Sequence, residues 1–161
     1  MIMATLCYIR HDGKTLMLHR NKKKDDIHRD KWNGLGGKFL PGETPEECLF
    51  REIKEESGLI IRSPQLNGFL TFPSFSKGED WYVFVFVARE FEGTLIESHE
   101  GQLEWIPDDV LLHLNLWEGD RFFLPLLEQG IFFSGKFYYQ NGKLLQHQLM
   151  LYDKHGFFSA G

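Results

Sequence analysis

Hydrophobic and polar residues alternate along this chain in short blocks, and the blocks predict more strands than helices. Residues 4–10 and 15–20 are β-prone runs joined by His11-Asp12-Gly13-Lys14. Asp-Gly tolerates the positive φ angles of a tight hairpin turn, so the pair reads as a hairpin. Residues 66–75 and 81–89 form two further β-rich stretches around Lys77-Gly78-Glu79-Asp80. Glu104-Trp105-Ile106 predicts a short strand, and Pro107 to Leu112 a helical turn. A closing hairpin is expected near 131–139 and 143–152, with Asn141-Gly142 at its turn.

Two segments carry helical period. In 44–58, Thr44 is placed to cap the helix, Pro45 takes the first helical position, and Glu47 completes a capping box. Gly58 supplies the left-handed residue that ends helices, and Leu49 and Ile53 lie one turn apart on a core-facing side. Residues 119–128 predict a second helix with Phe122, Phe123, Leu126 and Leu127 inward. Strands surrounding two helices indicate an α+β fold with a mixed sheet.

Composition narrows the class. The 161 residues suit one domain, 1–161, without linker, repeat or low-complexity tract. Twenty-three acidic against 18 basic residues give a net charge of −5, which argues against nucleic-acid or membrane partners. The two cysteines, Cys7 and Cys48, make no disulfide framework and suggest a reducing, cytoplasmic setting. No apolar run reaches the length of a membrane span, and the N-terminal stretch is too short and interrupted for a signal peptide. The tail 153–161 is expected to be a flexible segment, with Phe157 and Phe158 able to dock on the core or a partner.

One loop and one helix carry the candidate chemistry. Residues 21–31 hold Lys22, Lys23, Lys24, Arg29 and Lys31 against Asp25, Asp26 and Asp30, a local excess of +2 that suits a solvated loop or a phosphate contact. The segment from Gly37 to Leu59 holds six glutamates against three basic residues. Glu52, Glu55 and Glu56 fall at i, i+3 and i+4, on one helical face within a single turn. Like charges so spaced are either a solvated acidic face or a hard-oxygen site for a divalent cation such as Mg²⁺. The seven histidines show no metal spacing and read as surface or packing residues, and neither cysteine has a nucleophile's setting.

The order of residues favours the cation. Gly37, Glu43, Arg51, Glu52, Ile53, Glu55, Glu56, Gly58 and Leu59 match G-x5-E-x7-R-E-U-x-E-E-x-G-U without a gap. Seven fixed positions at roughly 7% background each make a chance match on the order of 10⁻⁸ per start point. This resembles the Nudix box, here 37–59, of the Nudix (MutT-like) hydrolases, which cleave nucleoside diphosphates linked to another group. The resemblance implies an α/β/α sandwich with a central mixed sheet. It implies Mg²⁺, with Mn²⁺ able to substitute, held by Glu52, Glu55, Glu56 and the Gly37 carbonyl. It makes Glu52 a candidate base, Arg51 an orienting residue and Glu43 a brace for the loop–helix junction. A further acid on a later loop is implied, with Glu97 and Glu100 as candidates and Glu100 preferred.

Outside the box, three stretches are similar to the animal-type 8-oxo-dGTP diphosphatases of that family: Lys31-Trp32-Asn33-Gly34-Leu35-Gly36-Gly37-Lys38, Leu116-Trp117-Glu118-Gly119-Asp120, and Phe133-Ser134-Gly135-Lys136-Phe137. The likeness implies hydrolysis of oxidised purine triphosphates to monophosphate and pyrophosphate, as in nucleotide-pool sanitation and DNA repair. A purine needs an aromatic face and groups that read the ring edge. Trp117 offers the face, Asn33 and Asp120 the edge, Phe72 and Phe75 possible opposite walls, and Lys38 a further substrate contact. Nucleotide sugars, ADP-ribose, ordinary dNTPs and a non-catalytic nucleotide sensor remain alternatives, and monomer and homodimer stay open. One departure bears on selectivity: the animal enzymes carry two adjacent aspartates where this chain has Gly119 then Asp120.

Overall fold

The structure, a computed structural model, describes residues 1–153 and, for the backbone alone, 156–159. In chain order its elements are β1 (Ile2–His11), β2 (Lys14–His19), β3 (Trp32–Asn33), β4 (Leu35–Lys38), α1 (Pro45–Ser57), β5 (Ile60–Arg62), β6 (Gln65–Ser76), β7 (Glu79–Ala88), β8 (Glu90–Glu92), β9 (Gln102–Pro107), α2 (Asp120–Gln129), β10 (Phe132–Gln140), β11 (Lys143–Asp153) and β12 (Gly156–Ser159). The helical turn expected after Pro107 is a single 3₁₀ turn, Leu111–His113.

The main sheet runs β12-β11-β10-β6-β7-β1-β2-β3, with β4 also paired to β1 and β9 to β2. Strand β1 is parallel to β7, and β10 is parallel to β6, while the other pairs are antiparallel. The sheet is therefore mixed. Both predicted hairpin turns carry the required backbone: Asp12 and Gly13 have φ of 50° and 71°, and Asn141 and Gly142 have 52° and 78°.

The central strands are buried on both faces, which is why they read as apolar runs rather than clean alternations. From β1, Ala4 and Tyr8 enter one core with Val83, Val85 and Val87 of β7 and with Phe123, Leu124 and Leu127 of α2. Cys7 and Ile9 point the other way, into a second core with Leu49 and Ile53 of α1. The two helices thus cover opposite faces of one sheet, giving the α/β/α arrangement.

Helix α1 is bounded as its sequence dictates. The Glu47 amide donates to the Thr44 hydroxyl at 3.1 Å, the Glu47 carboxylate accepts from the Thr44 amide at 2.8 Å, and Gly58 closes the helix at φ 79°. Helix α2 departs from expectation in its inward face. Asp120, Phe123, Leu124 and Leu127 form the buried i, i+3, i+4, i+7 stripe, and Phe122 falls two positions off it. Phe122 is instead exposed and stacks on His147 of β11 at 4.1 Å.

Several elements escaped the sequence pattern. β3 and β4 lie in the glycine-rich run before the box, and β5 pairs with β8 in a separate two-stranded sheet. β12 adds its backbone to the free edge of β11, while the side chains of Phe157 and Phe158 lie outside the described residues. Among the described residues no helix is long and apolar enough to cross a membrane.

Candidate active site

A cavity of about 620 Å³ opens between the N-terminal half of β1, the Gly-rich strand β4, the acidic helix α1 and the start of α2. Glu52, Glu56 and Glu100 line one end, and Asn33, Phe72, Phe75, Trp81, Trp117, Asp120 and Tyr139 line the other.

The acidic end is assembled by β4 lying flat on β1. At Gly37 a Cβ would stand 2.3 Å from the Glu52 carboxyl carbon, so only glycine leaves that carboxylate its place. The Gly37 carbonyl accepts from the Cys48 thiol at 3.5 Å, and the Gly36 amide donates to Glu56 at 3.4 Å. Arg51 ties this end to the preceding loop. Its Nε and Nη2 donate to the two oxygens of Glu43 at 2.6 and 2.9 Å, and its Nη1 donates to Glu52 at 2.7 Å. The Arg51 guanidinium holds the Glu43 carboxyl down to about 2.

The other carboxylates move the opposite way. Burial pushes Glu56 well above the usual carboxylate range, and repulsion from Glu100 and Glu52 adds to it. Burial also raises Glu52, against the pull of Arg51 and with added repulsion from Glu55 and Glu100. Mutually repelling, hard-oxygen groups in a confined space are a donor set suited to a divalent cation. Among the described residues no three acidic, histidine or cysteine side chains are drawn into a closed cage. The carboxylates engage neighbouring cations instead: Arg51 pairs with Glu52, while Arg20 and Lys23 reach Glu100 at 3.2 and 3.3 Å.

Of the two acids considered on the later loop, Glu100 lines the cavity, whereas Glu97 is 90% exposed in its side chain and pairs with Lys22. Glu55 shares the helical turn of Glu52 but stands on its solvent flank, 62% exposed and 3.5 Å from Arg51. It is the one predicted ligand side chain that the cavity wall does not include.

At the aromatic end Trp117 is buried, with Phe75 and Tyr139 edge-on at 5.3 and 5.1 Å between ring centres. Lys31 sits over its ring at 5.3 Å. The Asn33 side-chain nitrogen is buried without a hydrogen-bond partner. Asp120 opens α2 beneath the cavity, and burial pushes its carboxyl up to about 7, against the pull of Arg121 and Lys31. Phe72 packs on Phe75 at 5.1 Å as part of the wall, and Lys38 lies over Trp81 at 5.1 Å.

Sequence reasoning did not single out His28, Trp81 or Tyr139. The Trp117 indole nitrogen donates to His28 Nδ1 at 2.8 Å, and burial together with the Arg20 charge lowers His28 to about 4. The charged segment 21–31 thus supplies cavity wall through Asp25, Asp26, Ile27 and His28 as well as solvated lysines. No local signal announces these residues, since each acts across the fold on a partner dozens of positions away.

The NUDIX domain family matches residues 2–127. An oxidized purine nucleoside triphosphate hydrolase of Danio rerio is 32% identical over 148 residues, covering 91% of this chain and 93% of its own. The Mus musculus protein of the same name is 36% identical over 119 residues, 74% of this chain and 76% of its own. Among solved structures, the mutator MutT protein of Bacillus halodurans superposes with a TM-score of 0.83 at 30% identity, covering 92% of this chain and 97% of its own.

Proposed function

The chain belongs to the Nudix hydrolase family, and on that premise we propose that it hydrolyses oxidised purine nucleoside triphosphates such as 8-oxo-dGTP to the monophosphate and pyrophosphate. One observation carries the reading. A single cavity joins a cluster of repelling carboxylates to an aromatic compartment holding a buried, unpaired Asn33 amide and the buried Asp120. The first end suits a cation-bound polyphosphate and the second a flat base with polar edges. The two hydrolases of oxidised purine triphosphates share a third of their aligned positions with this chain, which supports the same substrate class here.

In this reading Glu52, Glu56 and Glu100 would hold Mg²⁺ with the Gly37 carbonyl, and Glu55 would contribute from the exposed flank. Bound there, the ion would neutralise phosphate charge and lower the pKa of an attacking water. Arg51, bonded to both Glu43 and Glu52, fixes the orientation of Glu52, and in this reading Glu52 would take the water's proton. Trp117 supplies a stacking face, Phe72 and Phe75 close the opposite side, and Asn33 and Asp120 read the base edge. Lys38, exposed at the rim, meets the triphosphate.

The test is pyrophosphate release from 8-oxo-dGTP beside dGTP, dATP, ADP-ribose and a nucleotide sugar, each with Mg²⁺ and with EDTA. A Mg²⁺-dependent preference for 8-oxo-dGTP is expected. Preferred cleavage of ADP-ribose or the sugar nucleotide overturns the base pocket while leaving the carboxylate site in place.

A further inference from the structure

The chain carries Gly119 beside Asp120, where the resemblance to the animal enzymes implies a second aspartate, and the structure shows what occupies the space. Gly119 has an ordinary right-handed φ of −66°, so its backbone does not require glycine. Room does. A Cβ there would lie 2.7 Å from the Phe137 ring and 2.8 Å from the Tyr139 hydroxyl. The Tyr139 hydroxyl occupies the volume that a side chain at 119 would fill, and the Gly119 amide donates to its oxygen at 2.7 Å.

That bond uses the tyrosine oxygen as an acceptor and leaves its proton free. A phenol can accept and donate at once, and the Gly119 contact is the only hydrogen bond of this hydroxyl among the described residues. Tyr139 is 6% exposed, and it lines the cavity together with Asn33, Trp81 and Asp120. A buried donor without an acceptor is costly unless a bound group satisfies it. Two neighbours share the condition: the Asn33 amide nitrogen and the Trp81 indole nitrogen are both buried and unpartnered. The compartment is therefore rich in unused donors, where a second carboxylate would have supplied only acceptors.

We propose that Tyr139 is a specificity-determining residue whose hydroxyl, oriented by the Gly119 amide, donates to a carbonyl oxygen on the edge of the bound base. The inference rests on the purine reading above and deepens it. A donor at this place favours a keto-purine over an amino-purine, because an amino group there leaves two donors facing each other. Where a second acid would only accept, the Tyr139 hydroxyl donates, and the missing side chain at Gly119 leaves it room.

The test compares 8-oxo-dGMP, dGMP and dAMP binding by calorimetry, without added metal, for the parent chain, Tyr139→Phe and Gly119→Ala, with kcat/KM for the matching triphosphates alongside. The phenylalanine keeps the ring and removes only the donor, and the alanine leaves the phenol intact while crowding the hydroxyl and the Phe137 ring beside it. Both variants are expected to weaken 8-oxo-dGMP about tenfold, the scale of one neutral hydrogen bond, while dAMP shifts less than about twofold. A purely structural role for Tyr139 would move all three nucleotides together, and that result overturns the proposal, as does no change at all. A parent chain that neither binds nor hydrolyses any of the purines removes the purine reading itself, and this inference with it.

Discussion

Arg51 and Glu43 form a two-point ion pair, Nε to Oε1 at 2.6 Å and Nη2 to Oε2 at 2.9 Å, that ties the loop before α1 to the helix. Because the remaining guanidinium nitrogen holds Glu52, the pair sets where a candidate catalytic carboxylate points. Lysine cannot make the fork. Arg51→Lys is expected to lower kcat about 10²-fold with a smaller change in KM, read from steady-state kinetics. The pair also predicts acid sensitivity. A carboxyl held near 2, below its ordinary 4.5, stabilises the fold above pH 4.5 and loses that contribution as pH falls from 4.5 toward 2. Glu43→Gln should flatten that part of the melting-temperature profile.

Glu56 is 9% exposed and crowded by Glu52 and Glu100. Its charge costs stability and is retained, in our reading, for the cation. Glu56→Gln keeps the shape and removes the charge, so turnover should fall on the order of 10³-fold while the melting temperature without metal rises. A variant that loses stability and keeps activity would reverse the assignment.

For Asp120 the sign is the opposite of Glu43. Its carboxyl is raised from 3.8 to about 7, so the folded state binds a proton more tightly than the unfolded chain, and stability drains away as pH rises through that window. Asp120→Asn should therefore gain on the parent in melting temperature as pH rises from 3.8 to about 7, and keep that gain at higher pH. If Asp120 reads the base, the same variant changes the ranking of purine substrates and not only their KM.

His28 accepts the Trp117 indole proton through Nδ1, which requires the neutral imidazole. Its pKa is lowered from 6.5 to about 4, so the contact is intact at neutral pH, and stability declines as pH falls from 6.5 toward 4. His28→Leu strands the indole N–H and is expected to cost about 1–3 kcal/mol in chemical denaturation. His28→Gln, which restores an acceptor, should recover part of it.

How far the sequence discloses this molecule depends on the range of each interaction. Thr44, Pro45, Glu47 and Gly58 act within a turn of one another, so the bounds and acidic face of α1 were legible directly. The hairpins announced by Asp12-Gly13 and Asn141-Gly142 were legible for the same reason. Strand β4 was not, because Gly36 and Gly37 carry no β signal; a Cβ at Gly36 would meet the Thr5 backbone of β1 and one at Gly37 the Glu52 carboxylate, partners distant in sequence. Phe122, expected inward, lies off the buried stripe because that stripe is set by where α2 begins. Asn33, Trp117 and Asp120 were reached through resemblance. His28, Trp81 and Tyr139 depend on contacts between distant strands and loops, to which residue type alone gives no clue.

The cavity wall includes Trp81 and Trp117, two of the chain's four tryptophans. The other two lie elsewhere, Trp32 stacked on His19 at 4.5 Å and Trp105 on Phe91 at 5.5 Å. A flat ring entering between the first pair changes the surroundings of half the chain's indole fluorophores and leaves the other half as an internal reference. The protein therefore reports its own occupancy as light, without a label, and the two single substitutions Trp81→Phe and Trp117→Phe would show which wall the guest meets first.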